Sequence, residues 1–427
     1  MDQKIPFQIL NSQILALFPD GEVEFVDIKL LDDIISYNDH LLSEINYKPY
    51  ILTDIIFTND RLFTPAPLIA FIEITNLCNL KCKHCYANSQ YRRKNEMSTS
   101  MIFQLLDEFG EMGVLQVFLT GGEIFTHKDA VEIINYAATK NFTTQVFTNG
   151  ILLTEQIVAS LPGNIGLAIS FDTADPVKTV RGKMDYPKLK QTFELLNKFK
   201  IPFRTAISVH KYNIQDIIET YEWSIKNNYP RPQWLETFAT GRALKNKHIL
   251  PTEENFKEIF EVYKTCMDKF CTMDNADELQ GTAIESIHAI KTIQMVERLE
   301  IATGKPKLAN TMVYVNSSGD VYPDSSCLDY EDFIGGSLYD LSFFDIWTNA
   351  FKELRKNSFT DFKGCDKCPI NVSGIHCNFR DYGLSQNLHG DPFYCGASDY
   401  IKLMILRCAE YWKEKDDKGY KLKLLIN

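Results

Sequence analysis

Cys78, Cys82 and Cys85 fall within one short run, NLCNLKCKHCYA at residues 76–87. Thiolate sulfur is a soft donor that selects zinc, copper(I) or iron–sulfur clusters. A structural zinc closes its tetrahedron with protein ligands, whereas a cluster held by three thiolates leaves one iron open to an outside ligand. A redox disulfide is a further alternative for this loop. Downstream lie Gly121-Gly122-Glu123, where glycines allow a close backbone approach and the carboxylate reads equally as a helix-start acid favoured by the macrodipole. A second group of thiols, Cys327, Cys365, Cys368, Cys377 and Cys395, gathers toward the C-terminus. The C-x2-C of Cys365 and Cys368 suits a zinc ribbon as well as an iron–sulfur site. Cys266, Cys271 and Cys408 stand in apolar helical stretches and read as buried structural cysteines.

Strand-like and helix-like segments must position these groups. From about residue 68 they alternate: LIAFIEIT, a helix at 98–112, LQVFLT, 129–140, TQVFT, 155–161, IGLAISF, 186–200, FRTAISV, 214–227, QWLETFA and a helix near 252–271. Strands separated by single helices imply right-handed crossovers and a parallel sheet. Six such steps fit an open, partial barrel rather than a closed eightfold one. The thiol loop follows the first strand and so lies at the carboxyl end of the sheet, where parallel α/β folds place their sites. The first helix has Ser98 or Thr99 as cap, apolar residues Ile102, Leu105, Leu106 and Phe109 at helical spacing, and Gly113 as stop.

Ahead of the barrel, residues 1–65 carry strand signals in FQILNS, ILALF and EVEFVDIK, the last two joined by Pro19-Asp20-Gly21. After it the sequence predicts a helical stretch to about 304, a hairpin in MVYVNSSGDVYP, the cysteine-rich region and a last helix at 397–414. The expected domains are 1–65, 66–300, 301–396 and 397–427.

Composition narrows the function. The 427 residues are 45% hydrophobic and 24% charged, as in an ordinary globular chain. A net charge of -11 argues against a sequence-independent nucleic-acid binder. No run reaches the roughly 18 apolar residues of a membrane span, and the start lacks the pattern of a secretion signal, so a cytoplasmic, non-membrane protein is expected. Eleven cysteines without such a signal point to metal or redox chemistry rather than a disulfide scaffold.

The thiol loop after strand one, the Gly-Gly-Glu after strand two, Thr148-Asn149-Gly150 after strand three and Ile169-Ser170-Phe171-Asp172 at strand four together resemble the radical SAM superfamily. The resemblance implies a partial (β/α)6 barrel with a four-iron cluster on Cys78, Cys82 and Cys85, its fourth iron chelated by S-adenosylmethionine. Reductive cleavage then yields a 5′-deoxyadenosyl radical that abstracts hydrogen. By the same resemblance Gly121, Gly122, Glu123 and Asn149 face the cosubstrate, Ser170 and Asp172 its ribose, and His84 its adenine. Arg181-Gly182, Asn213 and Gly241-Arg242-Ala243 match further family features. Ser170 reads alternatively as a turn-capping hydroxyl, and His84 as a solvated loop histidine.

VYPDSSC, GGSLYDLSFFDIW, CDKC and HCNFRDYG resemble the SPASM extension, which usually holds two auxiliary clusters. Here Cys327 stands closer to Gly335 than the pattern has it, Asp340 occupies a cysteine position, and Ser373 stands where another is expected. Five thiols suffice for one auxiliary cluster, expected on Cys365, Cys368, Cys377 and Cys395. Cys327 is a substitute ligand or a free catalytic thiol.

The expected function is a radical SAM peptide maturase that crosslinks a ribosomally made precursor peptide through a thioether or carbon–carbon bond. It would draw electrons from a flavodoxin- or ferredoxin-type donor, with residues 1–65 as a possible leader-binding module. A sulfatase-maturing enzyme forming formylglycine and a peptide epimerase are alternatives. From another class, the chain reads as a non-catalytic iron–sulfur or zinc protein that binds peptides or senses redox state.

Overall fold

The computed structural model describes residues 7–10, 13–17, 23–30, 32–33, 64, 66–230, 232–237, 239–270 and 309–356. The expected C-terminal ligands Cys365, Cys368, Cys377 and Cys395 lie outside them, as do Cys271, Cys408, the Pro19-Asp20-Gly21 turn and the helices expected before residue 304 and at 397–414.

Six parallel strands form the centre: β4 (Ile69–Glu73), β5 (Gln116–Thr120), β6 (Thr143–Thr148), β7 (Ile165–Ser170), β8 (Phe203–Val209) and β9 (Pro232–Glu236). They pair in chain order, each crossover carrying a helix. The helices are α1 (Thr99–Met112), α2 (Ala130–Ala138), α3 (Glu155–Ala159), α4 (Tyr186–Phe199) and α5 (Ile217–Lys226), followed after β9 by α6 (Gly241–Lys245) and α7 (Glu253–Phe270). Three earlier strands, β1 (Phe7–Leu10), β2 (Gln13–Leu17) and β3 (Val23–Asp27), make a separate antiparallel sheet.

Local chemistry explains the helix bounds. The Ser98 side chain accepts from the Met101 N–H to start α1, and Asp185 accepts from Lys188 to start α4, which has proline in its first turn. The expected bounds of α1 and of the strands hold within a residue or two, except that the last barrel strand ends at Glu236, three residues before the expected Ala239. Alternation along the strands separates two faces. Ala70, Ile72, Val117, Leu119, Val146, Leu167 and Ile169 pack with Ile102, Leu105, Leu106 and Phe109 of α1 and with the apolar faces of α2 and α4. On the other face Phe71 stacks on Phe118 at 4.6 Å, and Phe118 meets Phe147 at 5.4 Å.

The hairpin of β10 (Met312–Val315) and β11 (Asp320–Tyr322) does not stand apart from the barrel. β10 pairs in parallel with β4, and with β12 (Gly336–Ser337) the sheet becomes nine-stranded in the order β12-β11-β10-β4-β5-β6-β7-β8-β9. A short helix α8 (Phe343–Asn349) then packs on α1, with Phe343 edge-on to Phe109 at 4.7 Å. Trp347 is fully buried, and its indole N–H donates to the Thr64 carbonyl at 3.0 Å. Arg355, on α9 (Lys352–Lys356), covers the ring at 4.6 Å from its centroid and donates to the Trp347 carbonyl.

No helix among the described residues is long and apolar enough to cross a membrane. Trp347→Ala is expected to cost about 3–5 kcal/mol of stability, read as a lower urea midpoint, because it leaves a cavity where α8 meets the start of the barrel. An unchanged midpoint would show that this contact does not stabilise the fold.

Candidate active site

The loop after β4 carries the three thiols, all free of disulfides and part-exposed. Non-repetitive backbone must find partners for its polar groups. Glu96 meets the loop's start, accepting from the Thr75 hydroxyl (3.0 Å) and the Asn76 N–H (2.7 Å). The Leu80 N–H donates to Cys78 Sγ at 3.4 Å, and Cys82 Sγ donates to the Arg181 carbonyl at 3.7 Å. The Lys83 N–H donates to the Val180 carbonyl, so the segment after β7 lies against the middle of the loop.

Gly121-Gly122-Glu123 grips the same loop. The Gly122 N–H donates to the Thr75 carbonyl (2.7 Å) and the Glu123 N–H to the Leu77 carbonyl (2.9 Å). A Cβ on Gly121 would sit 2.7 Å from the Thr75 carbonyl oxygen, and one on Gly122 2.5 Å from that of Leu77. These glycines therefore permit an approach to the thiol loop's own backbone.

Glu123 is buried and caps a short 3-10 turn by accepting from the Phe125 N–H (3.2 Å). Its carboxylate also accepts from the Thr148 hydroxyl and the Asn149 N–H, each at 2.7 Å. Burial raises its carboxyl above the ordinary range, and these hydrogen bonds pull it part of the way back. The Asn149 side chain in turn donates to Asn79 Oδ1 at 2.8 Å. The motifs after strands two and three are thus one hydrogen-bonded unit with the loop after strand one.

A second polar group closes the site at β7 and β8. Asp172 Oδ1 accepts from Arg181 Nη2 (2.7 Å) and the Ser208 N–H (3.0 Å), while its Oδ2 has no partner among the described residues. Burial alone would raise the Asp172 carboxyl, but Arg181 beside it holds it below its usual value. Asn213 donates to the Asp172 and Ser208 carbonyls and accepts from the His210 N–H. His210 is fully buried and pushed down to about 4, chiefly by burial and further by Arg181, against the opposing pull of Asp172 and Asp216. Its Nδ1 accepts from the Tyr212 N–H, which puts the proton of the neutral ring on Nε2, an atom without a partner among the described residues.

His84 is part-buried with Nδ1 sealed from solvent and unpartnered among the described residues, and burial takes it down to about 3. Ser170 is part-exposed at the end of β7.

The donor set fits an iron–sulfur cluster. Burial pushes the thiol of Cys78 up to about 12 and that of Cys82 up to about 11, each raised further by the neighbouring cysteines. Such thiols become thiolates on metal binding, with release of protons. No three metal-ligating side chains among the described residues converge on one point. A cluster does not require that, since each thiolate bonds a different iron.

Cys327 lies elsewhere, fully buried against Tyr314, Tyr322 and Phe333 with Phe71 and Tyr86 at the edge of that group. Sequence reasoning passed over Ser208, His210, Glu96 and Asp329. Only the pairing of β7 with β8 brings the first two to Asp172, and no local pattern marks any of them.

Residues 72–224 match the radical SAM superfamily, and residues 308–369 match SPASM, an iron–sulfur cluster-binding domain. The chain is 27% identical over 353 residues to an AdoMet-dependent heme synthase of Methanosarcina barkeri, covering 78% of this chain and 97% of that protein. It is 29% identical over 215 residues to the antilisterial bacteriocin subtilosin biosynthesis protein AlbA of Bacillus subtilis, covering 48% of this chain and 47% of that one. In fold it is similar to Streptococcus suis SuiB bound to precursor peptide SuiA, with a TM-score of 0.64, 14% identity, and 89% and 96% of the two chains covered.

Gly122→Ala is expected to cut the iron retained after anaerobic reconstitution to a minor fraction of wild type, because the new methyl meets the Leu77 carbonyl; wild-type iron content would contradict this. His210 has a folded value near 4 against an ordinary 6.5, so its contribution to stability is present above 6.5 and lost as pH falls through about 4. A His210→Asn variant should show a flatter fall of stability over that window in urea melts, and an unchanged slope would rule the histidine out as its source.

Proposed function

We propose, from the premise that this chain belongs to the radical SAM superfamily and carries a SPASM iron–sulfur domain, that it is an enzyme that matures a ribosomally made peptide. The bond it installs is an intramolecular crosslink, thioether or carbon–carbon. The observation that carries this reading is the sheet itself. The SPASM hairpin pairs through β10 with β4, the strand that delivers Cys78, Cys82 and Cys85. The hairpin that leads to Cys327 is thereby joined to the strand that leads to the first thiols.

Cys78, Cys82 and Cys85 would hold a four-iron cluster, which with S-adenosylmethionine would supply the 5′-deoxyadenosyl radical for hydrogen abstraction. The chain's own residues shape the pocket around it. Glu123, fixed by Thr148 and Asn149, offers a carboxylate near the loop to an amino group. Asp172 Oδ2 and the His210 Nε2–H, each without a partner among the described residues, offer an acceptor and a donor from the segments after β7 and β8. His84 stays neutral beside them. Auxiliary iron–sulfur chemistry falls to the SPASM domain, for which Cys365, Cys368, Cys377 and Cys395 are the candidate ligands of one cluster. The fully buried Cys327 suits a packing or ligand role better than that of a mobile hydrogen donor.

A peptide substrate is supported by the similarity to the subtilosin biosynthesis protein and to PqqA peptide cyclases. Among the described residues β1 and β3 each pair on one side only, which leaves edges to which a leader segment can add as a strand. A flavodoxin- or ferredoxin-type donor in the cytoplasm would supply electrons. The longer similarity to a heme synthase favours a second reading, in which the substrate is a tetrapyrrole.

Anaerobically reconstituted protein, given reductant and S-adenosylmethionine, is expected to release 5′-deoxyadenosine. Replacing Cys78, Cys82 and Cys85 with alanine should abolish this, while Cys266→Ala, in the buried contact of α7, should not. Offered a candidate precursor peptide, the enzyme should return a product lighter by a pair of hydrogens. Turnover of a tetrapyrrole with no change in any peptide would overturn the reading.

A further inference from the structure

The first turn of α6 clasps the thiol loop at residues 82–89, as Gly-Gly-Glu does at Thr75 and Leu77. Arg242 Nε donates to the Cys82 carbonyl at 2.6 Å, Nη1 donates to the Ser89 carbonyl at 2.9 Å, and the Arg242 N–H donates to the Cys85 carbonyl at 2.9 Å. Asn246, one turn on, donates to the Lys83 carbonyl at 3.3 Å. Gly241 has φ +53, and a Cβ there would stand 2.4 Å from the Cys85 carbonyl oxygen, so this approach requires glycine. The Gly241 N–H is held by Asp329 Oδ2 at 3.0 Å, two residues beyond Cys327.

Arg242 is 8% exposed. The other guanidiniums of the site are matched by carboxylates, Arg93 by Glu73 and Arg181 by Asp172. Among the described residues Arg242 has no such partner, and its side-chain acceptors are the Cys82 and Ser89 carbonyls and the Asn88 amide oxygen. A buried cation without a counter-charge is costly to a fold. The negative charge that would offset it is the one its loop is built to receive, a cluster bound by three thiolates.

We propose that Arg242 is the positioning residue that fixes residues 82–89 in ligating form and supplies the positive charge that stabilises the reduced cluster. This rests on the loop holding an iron–sulfur cluster. A guanidinium can bridge the Cys82 and Ser89 carbonyls with separate N–H groups in a fixed fork, and a lysine ammonium cannot reproduce that geometry. Asp329 orients the turn, which links the loop to the segment of Cys327.

The test uses the full chain, reconstituted anaerobically with iron and sulfide, as wild type, Arg242→Gln, Arg242→Lys and Asp329→Asn. The readouts are iron per chain and the midpoint potential of the EPR signal that S-adenosylmethionine perturbs. Arg242→Gln should lose most of that signal and shift what remains to a more negative potential. Arg242→Lys, which keeps the charge, should stay near the wild-type potential but load several-fold less iron, and Asp329→Asn should show a smaller loss of iron. A wild-type signal that Arg242→Gln leaves unchanged in amount and potential overturns this inference alone. Where the Gln variant does not fold, full loading of the Lys variant overturns it. A wild-type chain with no perturbable signal overturns the cluster reading and this inference together.

Discussion

The site depends on one constraint: a non-repetitive loop, residues 75–89, whose backbone must be hydrogen-bonded from outside itself. The carbonyls of Thr75 and Leu77 accept from Gly122 and Glu123, the Lys83 N–H donates to the Val180 carbonyl, and the carbonyls of Cys82, Cys85 and Ser89 accept from Arg242. The partners come from the segments after β5, β7 and β9, the first and last as donors and the middle one as acceptor. A loop pinned from three sides holds its thiols at fixed separations before any metal arrives, and such preorganisation lowers the ordering cost of binding.

The electrostatics follow from the same closure. Packing those segments over the loop excludes water, which raises the thiols of Cys78 and Cys82 and lowers His84 and His210. Neutral thiols and imidazoles line the site, and the ion pair of Asp172 with Arg181 sits between them. Bringing a charged group into such an environment alters each of these balances, since low-dielectric surroundings screen weakly.

The barrel could be read from the chain because its strands are short apolar runs and α1, α3 and α4 carry side-chain caps, so propensity, pattern and capping agree at Ser98, Ile102 and Phe109. The thiol loop and Gly-Gly-Glu were legible as motifs for a related reason, each being local in sequence. Their mutual contacts were not: that the glycines serve the loop's backbone emerges only from the pairing of β4 with β5. The addition of β10 to β4 was equally hidden, because it joins residues some 240 positions apart, as the Tyr314 hydroxyl bonded to Glu73 illustrates. Ser208, His210 and Asp329 are single polar residues without local periodicity, and only tertiary proximity gives them a part.

The central claim is that the three-thiol loop lacks a fourth protein ligand because one iron of its cluster is kept for S-adenosylmethionine. Mössbauer spectroscopy of the reconstituted chain, before and after adding S-adenosylmethionine, tests this most directly. The account predicts a four-iron cluster in which one iron subsite changes its isomer shift on addition, as its coordination number rises. A spectrum that does not respond, or metal analysis and X-ray absorption that find zinc with four sulfur ligands and no cluster, would contradict it.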